Sequence, residues 1–134
     1  MASVQEFLLS NPVVDLTKVV VVSERLKDYP FTIKPVTTDE QQEYQRMCIK
    51  NPASKKKRTF DVQQYNNLIV KNHVVNPNFK DSDFLSQAGP GTTSEMLINR
   101  VLMSGEVSKL VEEILKFSGF DTDLDEDVEE VKNS

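Results

Sequence analysis

Chemistry is what this chain has least of. Its 134 residues include one histidine, His73, one cysteine, Cys48, and no tryptophan. Most enzyme mechanisms need several positioned acids, bases or metal ligands, so the inventory argues against catalysis. His73 has no second His or Cys at ligand spacing and reads as a structural residue of a helix, near Ile69 and Val74. Neither a G-x-S-x-G elbow nor a G-x-x-x-x-G-K-[ST] phosphate loop occurs. The expectation is no catalytic residue, no cofactor and no metal. A lone cysteine forms no internal disulfide and reads as a small buried apolar residue, which fits a reducing cytoplasm. The longest apolar run is Val19 to Val22, far short of the ~20 residues a membrane helix needs. No basic segment precedes the apolar residues of "MASVQEFLLSNP", so no signal peptide is expected. Glycine and proline are scarce, at 4 and 6 residues, which excludes fibrous and low-complexity classes. No internal repeat is present.

What is present starts with an uneven charge. Seven acids lie between Asp121 and Glu130 with no base among them, leaving 14 acids and 15 bases in residues 1–120. The body is thus near neutral. A run this acidic with little to bury does not offset its ordering entropy. Two units follow: a globular domain over 1–120 and an acidic tail over 121–134, expected to be disordered in the free protein. Truncation after Phe120 should then move the melting temperature by less than about 5 °C, as scanning calorimetry can check. Asp121, Asp123 and Asp125 mimic the start of a calcium loop, but Glu126 stands where glycine is required and Lys132 where a bidentate Glu belongs.

The body reads as α+β, a mainly helical small domain with an N-terminal two-stranded antiparallel sheet. Val4, Phe7 and Leu8 have helical spacing, ended by Asn11-Pro12. "LTKVVVVSERL" and "FTIKPVT" read as paired strands between about Thr17 and Thr37, with Pro35 marking an edge or an end. Four or five helices follow. One opens on a capping box, either Thr37 with Glu40 or Thr38 with Gln41, and carries Tyr44, Met47 and Cys48. After the polar connector "NPASKKKRTF", the next opens at Asp61, carries Tyr65, Leu68, Ile69 and Val75, and ends at Asn76-Pro77. A short helix bears Phe84 and Leu85. Another, capped by Thr92 and Glu95, bears Met96, Leu97, Val101 and Leu102. After a break at Ser104-Gly105, the last repeats Val107, Leu110, Val111, Ile114 and Phe117 and closes at Gly119. The expected core is Phe31, Ile33, Tyr44, Leu68, Ile69, Leu97, Leu110 and Ile114.

Two sets of residues are candidates for partner contact. Lys55, Lys56, Lys57 and Arg58 form a basic run that could hold phosphate or act as a localisation signal. Without interleaved aromatics it reads as a solvated loop or a protein-docking surface. Met96, Met103 and Val107 are apolar residues of the last two helices, suited either to the core or to an adaptable binding face.

The ordered phrases "VVVSERLKDYPFTIKPVTTDE", "VNPNFKD" and "MLINRVLMSGEVSKLVEEILKFSGF" resemble the small tail assembly chaperones of contractile-tail phages and defective prophages of Gram-positive bacteria. In that family the strands read "V.VS.R...PF.IK.IT..E", and a "L.PGEY" joint precedes a final helix ending in "GF". The resemblance covers residues 1–120. It departs at the joint, where Ser104 and Val107 replace the usual Pro and Tyr. The resemblance implies a non-enzymatic protein of the host cytoplasm that coats and solubilises the tape-measure protein while the tail tube polymerises. The tail tube protein and a second copy of the chain are further partners to weigh; nucleic acid and membrane are not. The alternatives are a head–tail or tube-associated virion protein, which would need long strands, and a small nucleic-acid-binding regulator, which would need a basic face.

Overall fold

Residues 3–120 are described by the structure, a computed structural model. The sequence's own punctuation sets its elements. Helix α1 (Val4–Ser10) begins where the Ser3 side chain accepts the Glu6 N–H. Strand β1 (Lys18–Val20) is the start of the β-branched run, and β2 (Phe31–Ile33) follows after a short 3-10 turn at Glu24–Leu26. Helix α2 (Thr38–Met47) carries the reciprocal capping box of Thr37 and Glu40, the first of the two pairings the sequence offered. A ribbon of β3 (Ile49–Lys50) and β4 (Thr59–Phe60) comes next, then helix α3 (Val62–His73), capped by Asp61 through the Gln64 N–H at 3.0 Å. Strand β5 (Val74–Asn76), α4 (Ser82–Ala88), α5 (Ser94–Val101) and α6 (Ser104–Phe117) complete the described residues. The class is α+β and mainly helical, as expected.

The sheet has three strands rather than two, in the order β1-β2-β5, all antiparallel. β5 comes from residues whose apolar spacing reads as the end of a helix. Val74 and Val75 are β-branched, and Asn76 precedes a proline, which disfavours helix there. β2 is therefore the central strand. Pro35 ends it rather than marking an edge, since a central strand needs every N–H. The connector over 51–58 is a hairpin loop between β3 and β4, where no strands were expected.

Helix α3 is the spine. It packs against α6, α5 and α2, and its residues Leu68, Ile69 and Val70 are buried. All eight expected core residues are buried, joined by Cys48, Phe79 and Ile98, each fully enclosed. Phe79 stacks on Phe84 at 5.9 Å between ring centroids. α6 closes in a Schellman arrangement: Gly119, at φ +102°, donates to the Lys116 carbonyl and Phe120 to that of Leu115. Two starts differ from expectation. The α5 cap is Thr93, whose hydroxyl accepts from Met96 N–H, while Thr92 bonds to Gly89. Ser104 and Gly105, where the sequence suggests a break, are already the first residues of α6, and Met103 is its cap.

His73 is structural, as its sequence context suggested. It is fully buried, with Nε2 2.9 Å from the Tyr44 hydroxyl and Nδ1 without a partner. The Pro35 carbonyl favours the protonated ring, though Nδ1 makes no hydrogen bond of proper geometry to it. Burial lowers its pKa, opposed by Glu40 and reinforced by Lys34 and Lys80. A folded pKa below the unfolded value means stability is complete above about pH 6.5 and falls as acid protonates the unfolded chain first. Denaturant titrations between about pH 7.5 and about pH 5 should show this loss, and His73→Gln should flatten it. An equal loss in the variant would remove His73 as the cause.

Candidate functional site

A groove of about 600 Å³ opens where the first half of α3 faces the α5–α6 joint. Val62, Leu102 and Val107 give it an apolar surface; Gln63, Asn66 and Asn99 line it with amides, and Ser104 and Ser108 add hydroxyls. The groove exists because the chain turns sharply there. Leu102 is extended and buried, Met103 caps α6, and the two helices separate on either side. On the facing side, Asp61 fixes the start of α3. Its carboxylate, held below the usual range chiefly by the Gln64 N–H, also pairs with Lys50 at 3.3 Å.

A buried carboxylate locks the joint. Glu106 is 2% exposed. It accepts from Ser23 Oγ at 2.5 Å, from Arg25 Nε at 2.8 Å and Nη2 at 2.6 Å, and from the Met103 N–H at 2.8 Å. Arg25 Nη2 also donates to the Val101 carbonyl at 2.8 Å. One arginine thus ties the β1–β2 connection to the end of α5 and the start of α6. Burial pushes the Glu106 pKa up, but the hydrogen bonds from Arg25, Ser23 and Met103 outweigh it and bring it to about 2. Sequence pattern alone does not reveal this cluster. Its signal was present in "VSER" and "SGEV", a charged pair in two phrases that fold together, but residues 81 apart give no spacing to detect.

The sequence candidates fall in three places. Val107 lines the groove, half-buried, with part of its side chain against the core. Met96 and Met103 are exposed, on α5 and at the α6 cap, and neither lines the groove. Lys55, Lys56, Lys57 and Arg58 are exposed in the β3–β4 loop, away from the groove lining, with Arg58 donating to the Pro52 carbonyl at 2.6 Å. Among the described residues no group of three or more His, Cys, Asp or Glu is placed to hold a metal, and no helix is long and apolar enough to cross a membrane.

A family model described as "Phage XkdN-like tail assembly chaperone protein, TAC" matches residues 4–132. The chain belongs to the phage XkdN-like tail assembly chaperone family. The match covers the strands, the groove and the Ser23–Arg25–Glu106 lock, and continues past Phe120 into the acidic segment. The fold of this tail assembly chaperone is similar to the crystal structure of the protein yqbn, with a TM-score of 0.61 at 20% identity, over 90% of this chain and 99% of that one. No curated protein sequence matches. The acidic tail and its rejected calcium-loop spacing lie outside the described residues.

Proposed function

We propose that this tail assembly chaperone acts without catalysis in the host cytoplasm, binding the tape-measure protein and keeping it soluble while the tail tube forms around it. The supporting observation is the groove at the α5–α6 joint, open, with Leu102 and Val107 on its floor and amides around them. An amphipathic helix laid in such a groove buries its apolar stripe on the floor, while its flanking polar groups meet Gln63, Asn66 and Asn99. A long helical chain with uncovered apolar faces aggregates unless such surfaces are masked. Met96 and Met103 extend the apolar surface beyond the groove, and the basic run Lys55 to Arg58 offers a second contact, for the tape measure or for tube protein. Residues 1–120 serve as the folding unit. The acidic segment 121–134 supplies net charge that keeps the complex in solution.

The described strands, none longer than three residues, offer little to a tail-tube sheet, which weighs against a role as a tube subunit. The test is co-expression of the chaperone with the tape-measure protein of the same phage. Soluble tape measure that co-purifies with the chaperone is the expected result. A tape measure that stays insoluble, or dissolves without the chaperone attached, would refute the proposal.

A further inference from the structure

Every residue from Ser3 to Val19 is exposed, and Val20 is the first buried one. This stretch is not polar. Phe7, Leu8 and Leu9 of α1 are 61%, 63% and 85% exposed, and Val14, Val19 and Val21 are each more than half exposed. α1 buries none of its residues. A seven-residue helix does not persist alone in water, where about 12–15 residues are needed even for good helix formers. Its apolar stripe therefore calls for a cover that the body of the same chain does not supply.

We propose that this N-terminal arm, α1 together with the open edge of β1, is the interface for a second copy of the chain. The occupant follows from the edge. Among the described residues β1 pairs only with β2, so its other side offers N–H and C=O groups that none of them takes up. An antiparallel edge is complementary to itself, which a two-fold axis exploits to join two three-stranded sheets into one. Charge permits it. Lys18 is the only charged residue between Leu16 and Val22. Centring the pair on Val19 sets Lys18 opposite Val20 of the second copy and keeps the two ammonium groups apart. The area suffices as well. The exposed apolar residues between Val4 and Val21 offer on the order of 1,000 Å² per chain, against the roughly 800 Å² per partner of a standard interface.

This proposal is independent of the groove reading, because no residue of the arm lines the groove. Sedimentation equilibrium of the full chain at tens of micromolar should give twice the chain mass. Phe7→Lys/Leu9→Lys and Val19→Lys/Val21→Lys should each give the single mass and keep the folded circular-dichroism spectrum, with a melting temperature lowered only by the lost dimer stabilisation, since the replaced side chains are exposed in the single chain. Val107→Glu should remain a dimer. A monomeric wild-type chain overturns the proposal, as does a dimer that survives either double substitution. Loss of tape-measure capture in the arm variants without any change in mass also overturns it, by assigning the arm to that partner.

Discussion

Glu106→Gln is expected to cost about 3 kcal/mol, lowering the melting temperature by roughly 10 °C. The carboxylate is nearly inaccessible and receives four hydrogen bonds, two of them from Arg25. Substituting the amide removes the charge and turns an NH₂ group toward donors, leaving the Arg25 guanidinium facing a group that cannot balance it. The cost sits at the lower end of the range for a broken buried pair because the Arg25 side chain is 47% exposed and recovers water. Acid should act in the same direction. The folded pKa lies near 2, below the ordinary 4.5, so the contribution is complete above about 4.5 and disappears as pH falls toward about 2. The variant should lack that part of the acid-induced loss. Glu24→Gln is the matched control: its ion pair with Lys27 joins side chains 89% and 61% exposed, and such pairs contribute ~0–1 kcal/mol. Equal stability in the two variants would show that the Glu106 cluster does not hold the joint.

Local signals were legible in the sequence, and the elements it missed were either set by a distant partner or too short to leave a pattern. The Thr37–Glu40 box and the Asp61 cap fix two helix starts through groups three residues apart, and both are as the residues imply. The core residues follow from helical and strand periodicity, and all eight are buried. β5 was misassigned because Val75 fits the helical repeat of α3. What makes Val74 to Asn76 a strand is β2, some 40 residues earlier in the chain, and its claim outweighs local periodicity. The β3–β4 ribbon is two residues per strand, too short for any alternation to register.

The site divides in the same manner. Val107 is a candidate from sequence as an apolar residue of the last helix next to its break, and it lines the concavity at the α5–α6 joint. Gln63 and Asn66, on the opposite wall, belong to α3 and reach the groove only through the α3–α6 packing. Ser23, Arg25 and Glu106 lay in plain view as phrases of a family pattern, yet their joint purpose is visible only once the chain has folded. The N-terminal arm has the reverse history. Its helix was evident from Val4, Phe7 and Leu8, but helical spacing carries no information on whether the apolar face finds a partner in the same chain.

Val107→Glu is expected to abolish capture of the tape-measure protein while leaving the fold in place, a loss of at least about 100-fold in affinity, or roughly 2.8 kcal/mol. The half-buried position decides the outcome. In a sealed core an unpaired carboxylate costs several kcal/mol and would unfold a domain of this size. In an open groove it keeps part of its hydration, and the cost to folding should stay near 1 kcal/mol, a shift of a few degrees. On the binding side the same charge must be stripped of water when an apolar helix face settles on Leu102 and Val107, so nearly the whole penalty falls on the complex. Val107→Ala, which only makes the floor shallower, should weaken capture less and leave melting nearly unchanged. Met96→Glu and Met103→Glu, on exposed surface outside the groove, should weaken it less than Val107→Glu. Capture measured by co-purification and by soluble tape-measure yield separates these cases. A Val107→Glu chaperone that folds normally and still dissolves its partner would place the binding surface elsewhere on the molecule, with the basic β3–β4 loop as the next surface to test.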